Sequence, residues 1–74
     1  MKRTVADLKI GESGIIDEIL GESEYVNRLL EMGFTKGTPV KLNKKAPFGD
    51  PLGLQVRDYV LAIRKSSASH IYIK

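Results

Sequence analysis

His70 is the only imidazole in the chain, and no cysteine accompanies it, so the two side chains that most often do nucleophilic or metal chemistry are nearly absent. One histidine cannot build a His-based metal cluster, and no recognisable motif surrounds it as partners for a Ser-His-Asp relay. His70 reads as an exposed strand residue. The lack of cysteine also removes disulfides, zinc knuckles, iron-sulfur ligation and thiol catalysis, and it fits a reducing, cytosolic setting. Asp17, Glu18, Glu22 and Glu24 offer oxygen ligands suited to magnesium, calcium or manganese. They lack EF-hand spacing, and together with Glu12 and Glu31 they read as a solvated acidic face. Gly33-Phe34-Thr35-Lys36-Gly37-Thr38 carries the residue types of a phosphate-cradling Walker loop in the wrong order, and so reads as a helix-to-strand turn. No nucleophile, base and oxyanion donor come together. The expectation is a non-enzyme with no cofactor and no metal site.

Binding chemistry is better represented. Lys36, Lys41, Lys44, Lys45, Arg57, Arg64 and Lys65, with Phe48, Tyr59 and Tyr72, have the residue types that hold a single nucleic-acid strand, phosphates on cations and bases on rings. Aromatic rings at strand spacing more often fill a core, so nucleic acid is not the expected partner. Charge is unevenly divided: residues 1–35 carry four Lys/Arg against seven Asp/Glu, giving −3, while residues 36–74 carry eight against two, giving +6. Such asymmetry steers an acidic partner to one face, unless the two halves interleave in space and cancel. The most informative surface segment is Lys44-Lys45-Ala46-Pro47-Phe48-Gly49-Asp50-Pro51-Leu52, a turn-rich loop with an aromatic at its centre. Its prolines limit backbone freedom, and a preordered loop loses less entropy when it binds. Phe48 either stands out as an apolar anchor or folds back as a lid on the barrel end.

These residues need elements to hold them. Leu52, Leu54 and Val56 alternate with Gly53, Gln55 and Arg57, and Tyr59, Leu61 and Ile63 alternate with Val60, Ala62 and Arg64, with Asp58 as the tight turn between. Val40 and Leu42 mark a further strand, and Ile71 and Ile73, alternating with His70 and Tyr72, mark the last. Gly14 to Leu20 is also read as a strand, but Ile16 and Ile19 lie three apart and can share a face only across a bulge. From Ser23 to Met32 the apolar residues recur at helical spacing, with Ser23 as the N-cap and Gly33 taking the left-handed C-terminal turn. So short a helix must dock one face to persist. Tyr25, Leu29 and Leu30 are therefore read as core, and Met32 as suited to core or contact.

At 74 residues the chain is one small domain, residues 1–74, whose single-layer core is too thin for a deep, water-excluding active site. No apolar run approaches the roughly 20 residues that span a bilayer. Met1-Lys2-Arg3 is followed by Asp7 and Lys9 rather than a signal-peptide apolar stretch, and a cytoplasmic protein is expected. Five or so short strands and one short helix are best satisfied by a mainly β fold, a sheet curled into a small barrel that leaves few edges exposed.

Leu8-x-x-Gly11, Gly14-x-Ile16-x-x-Ile19, Arg28-Leu29-Leu30-Glu31-Met32-Gly33-Phe34, Gly37-x-x-Val40, Ala46-Pro47-Phe48-Gly49-Asp50-Pro51, Ala62-Ile63-Arg64 and Ala68-x-x-Ile71-x-Ile73 follow one another along the chain. The pattern resembles the ferrous iron transport protein A (FeoA) family from about residue 5 to the end. That resemblance implies an SH3-like β-barrel of five or six strands with one short α-helix. It also implies a small cytosolic accessory of bacterial ferrous iron uptake that binds and modulates FeoB, a membrane permease with a cytosolic GTPase domain, and meets the membrane only through it. Asp58 stands where Gly is expected, in a positive-φ turn that Asp tolerates better than most residues, and Ser67 replaces an acidic residue usual before Ala68. The expected contact residues are Arg28, Lys44, Lys45, Pro47, Phe48, Asp50 and Pro51, with Phe48 the anchor, the prolines stiffeners and the cations complements to an acidic patch. Weak homo-oligomerisation is left open. Two other readings are kept: a metal-responsive regulatory domain like the C-terminal SH3-like domain of metal-dependent repressors, and a barrel that binds single-stranded nucleic acid.

Overall fold

Ile16 and Ile19 reach the same face because the strand that carries them is bulged. In the computed structural model, which describes residues 3–74 and of Tyr25 the backbone alone, this strand runs Ser13–Ile19 and its register shifts between Ile16 and Glu18. Ile16 is fully buried and Ile19 packs against the core. The expectations placed on Met1, Lys2 and the Tyr25 side chain lie outside the described residues.

The elements are β1 (Arg3–Thr4), a 3-10 turn (Val5–Asp7), β2 (Ser13–Ile19), α1 (Ser23–Glu31), β3 (Pro39–Lys45), β4 (Leu52–Val56), β5 (Tyr59–Ile63), α2 (Lys65–Ala68) and β6 (Ile71–Ile73). They form one antiparallel sheet in the order β1-β6-β2-β3-β4-β5. Strand β2 serves two neighbours in turn: Ser13–Ile15 pair with β3, and Ile16–Ile19 with β6. The ribbon folds over at that point and encloses the predicted alternating residues, with Val40, Leu42, Leu54, Val56 and Ile71 almost entirely excluded from water. Among the described residues the curl is not closed by hydrogen bonds, since β1 and β5 do not pair, so the SH3-like barrel is an open one.

Helix α1 begins differently from expectation. Glu22, not Ser23, is the capping residue, and Ser23 lies in the first turn with no side-chain capping bond. The backbone is extended at Glu22, whose carbonyl accepts from Val26 N–H at 2.9 Å as the first intrahelical bond, so Ser23 falls one position inside the helix rather than at its cap. The other end is as read. Gly33 N–H donates to Leu30 O at 3.0 Å and Phe34 N–H to Leu29 O at 3.2 Å, a Schellman motif with Gly33 at φ +102°. This turn delivers Leu29 and Phe34 together into the core. Leu30, expected in the core, remains 39% exposed, because a helix residue next to Leu29 is rotated about 100° away from the docked face.

Three local features differ from the sequence reading. There are two α-helices rather than one: α2 packs against the 3-10 turn and buries Ala68, but four residues are too few for a periodic signal. Arg57, not Asp58, carries the positive φ of the β4–β5 turn, at +56°. The pairing of Val56 with Tyr59 leaves a two-residue connection, and its first residue must take the conformation that such turns usually give to glycine. His70, placed in the last strand by alternation, lies exposed in the turn just before β6.

Near the N-terminus, the Arg3 guanidinium donates to both carboxylate oxygens of Glu12, at 2.9 and 3.0 Å, and Lys9 N–H donates to the same group at 2.9 Å. These bonds, Arg3 first, hold Glu12 down from its ordinary 4.5 to about 2. A depressed folded-state value means that the contribution is fully present above the unfolded value and is lost as pH falls through about 2. Glu12→Gln is expected to remove part of the acid-induced fall in melting temperature over that window, as a circular-dichroism melt at stepped pH will read.

Candidate docking site

Strands β3 and β4 are joined by a loop whose backbone is tied to itself and to a helix. Ala46 N–H donates to Pro51 O at 3.1 Å and closes the base, and Gly49 N–H donates to Ala46 O at 2.7 Å across the tip. Pro47 takes the position of that turn for which its fixed φ is suited, and Gly49 follows at φ +84°. Phe48 is left at the apex with 99% of its surface exposed. Of the two placements open from sequence, projecting anchor or folded-back lid, it takes the first.

Asp50 has a job inside the chain. Its Oδ1 accepts the Lys65 backbone N–H at 2.8 Å, one of the unpaired donors at the start of α2. The residue expected to face a partner therefore clips the loop to the following helix, and sequence spacing gave no hint of it across 15 positions. Asp50→Ala is expected to cost about 1 kcal/mol, the scale of a lost helix cap. It should also speed amide exchange at Gly49 and Lys65, which hydrogen-exchange NMR will measure.

Beside the loop lies a shallow groove of about 340 Å³, walled by Lys44, Lys45, Pro47, Pro51, Leu52 and Ala62. Lys44 and Lys45 are exposed and stand opposite Gly53 and Leu52 in the β3–β4 ladder. Lys44 lies across Gly53 so closely that a Cβ there would come within 2.8 Å of its Cγ. Five of the seven expected contact residues, Lys44, Lys45, Pro47, Phe48 and Pro51, thus gather on one projecting edge. Ala62 was not among them, although its outward phase on β5 was the available signal. Arg28 is held elsewhere: α1 is anchored at its C-terminal end by Tyr59 Oη, which donates to Met32 O at 2.6 Å. Tyr59 starts β5 at the opposite end of the β4–β5 hairpin from Leu52 and Ile63, where the loop begins.

A second, larger groove of about 550 Å³ has Lys36, Lys41 and Arg57 on its walls with Thr35, Thr38 and Gln55, and no aromatic residue. It supplies cations without a stacking surface, and one candidate ring, Tyr59, is engaged with the Met32 carbonyl. Among the described residues no group of three or more His, Asp or Glu is arranged to hold a metal ion, and no helix is long and apolar enough to cross a membrane.

The chain is thus an open six-stranded SH3-like sheet with a helix between its second and third strands and one internally bonded loop between β3 and β4. The FeoA domain family model matches residues 3–74, and the chain belongs to the FeoA family. It is similar to the Fe(2+) transport protein A/Fe(2+) transporter FeoB fusion protein of Porphyromonas gingivalis, 29% identical over 70 residues that cover 95% of this chain. The chain spans 8% of the length of that curated relative. Its fold is similar to the FeoA-like protein from Clostridium acetobutylicum, with a TM-score of 0.90 and 32% identity, covering 99% of this chain and 85% of that one. It is also similar to Stenotrophomonas maltophilia FeoA complexed with zinc, described as a procaryotic SH3 domain protein, with a TM-score of 0.85 and 29% identity over 97% of this chain and 89% of that one.

Proposed function

We propose that this chain is a non-enzymatic, cytoplasmic accessory of ferrous iron uptake that docks on the GTPase portion of a FeoB permease through the loop around Phe48. One observation carries the reading: a wholly exposed phenylalanine at the apex of a loop fixed by two internal hydrogen bonds and an aspartate clip. An aromatic held in place without contacts of its own has its apolar surface available for a partner pocket and little ordering entropy left to lose. Lys44 and Lys45 beside it supply charge for an acidic rim and speed encounter. The identity of the partner is supported by the relative in which a domain matching this one and a FeoB transporter share a single chain. Arg28, at another part of the surface, belongs to a second contact area on the same partner.

Titration of isotope-labelled chain with the GTPase portion of the permease, with and without nucleotide and Fe(II), tests this directly. Saturable amide shifts centred on residues 44–52 are the expected result. Shifts confined to other surfaces, or none at any concentration, would discard the docking model.

A further inference from the structure

We infer that β5 pairs with β5 of a second copy of this chain, antiparallel about a two-fold axis through Leu61. Among the described residues strand β5 has one neighbour, β4, and its outer edge is unpaired. Natural sheets blunt such edges with charges, proline or bulges. Tyr59-Val60-Leu61-Ala62-Ile63 has none of these: it contains no charged residue and no proline, and its register against β4 is unbroken. Tyr59 and Val60 are 42% and 49% exposed.

The hydrogen-bond phase of the hairpin decides which groups face outward. The two-residue turn makes Val56 and Tyr59 a hydrogen-bonded pair, so alternate residues Tyr59, Leu61 and Ile63 bond to β4. Val60 and Ala62 then direct their N–H and C=O groups away from the sheet. Pairing about Leu61 sets Val60 of each copy opposite Ala62 of the other, which is where both have free groups to exchange. The same register sets Asp58 of each copy opposite Arg64 of the other. Neither side chain has a hydrogen bond or ion pair among the described residues, and opposite charges directly across strands are favourable. Sliding by one residue per copy in either direction keeps the hydrogen-bond phase but sets Asp58 opposite Ala62, or Arg64 opposite Val60. Charge therefore selects one register from those the backbone allows. A self-complementary patch of this kind closes as a two-fold dimer rather than growing into a fibre. The Phe48 loop, carried by β3 and β4, lies outside the pairing.

Sedimentation equilibrium on the full chain from micromolar to millimolar concentration provides the test, with melting temperatures confirming that each variant is folded. The wild type is expected to dimerise, with amide exchange at Val60 and Ala62 slowing as concentration rises. Val60→Lys, at an exposed outward position, should stay monomeric. Asp58→Arg and Arg64→Asp should each weaken dimerisation on the order of tenfold, from loss of two symmetric exposed pairs, and the double reversal should restore it. A monomeric wild type, a Val60→Lys variant that dimerises as well as the parent, or a double reversal no better than the singles would each overturn the assignment. Protection of Val60 and Ala62 that appears only when the permease GTPase portion is added would overturn it too, by giving the edge to a strand of the partner.

Discussion

Phe48→Ala is expected to weaken association with the permease GTPase portion by about thirtyfold or more and to leave the melting temperature unchanged. The two halves of that result have separate causes. In the free chain the ring is 99% exposed, so truncating it removes no packing and opens no cavity. In the complex an aromatic anchor filling a desolvated pocket is worth about 2 kcal/mol or more, which is the stated loss in affinity. Isothermal titration calorimetry beside a thermal melt separates the two. A fall in stability would mean that Phe48 serves the fold, and unchanged affinity would move the contact to another surface. Lys44→Ala and Lys45→Ala should act mainly on the association rate and its salt dependence, because charges at an exposed rim steer encounter more than they hold the complex.

The largest effect on stability is expected at Gly33. A Cβ built there would lie 2.6 Å from Tyr59 Oη and 3.4 Å from Val56 Cγ1, and its φ of +102° is one that other residues rarely adopt. Gly33→Ala must therefore strain the Schellman turn and push Tyr59 away from the Met32 carbonyl to which it donates. Left-handed backbone costs roughly 1–2 kcal/mol, and a lost hydrogen bond adds about 1 kcal/mol. Together these lower the melting temperature on the order of 10–20 °C in a domain of this size. Tyr59→Phe, which removes the crowded oxygen, should lose only the hydrogen bond. If the clash is the cause, the double variant will lose clearly less than the sum of the two singles. Additive losses would place the cost of Gly33→Ala in the backbone alone.

The core was legible wherever side-chain period and burial coincide. Val40, Leu42, Leu54, Val56, Ile71 and Ile73 face inward as their alternation required, and the three-residue step from Ile16 to Ile19 announced the bulge that the register contains. Leu30 misled because periodicity defines a broad stripe, whereas a nine-residue helix docks only the part that Leu29 occupies. Asp58 misled for a related reason: by composition Asp is the turn former and Arg57 continues the strand, but the pairing of Val56 with Tyr59 makes Arg57 the first turn residue and gives it the positive φ. The short α2 escaped notice because four polar and small residues have no period.

The order of residue types along the chain was enough to determine a β-rich chain of the FeoA pattern, bearing one proline-containing loop with Phe48 at its centre. Composition and short-range spacing set those properties, since each depends on residues within one or two turns of one another. Only the tertiary structure decided that Phe48 projects, that Asp50 is held by α2, that Arg28 sits on an element anchored away from the loop, and that β5 ends the sheet with its outer edge open among the described residues. Each of these is a relation between residues brought together by the curl of the ribbon, and local propensity carries no information about distances across it.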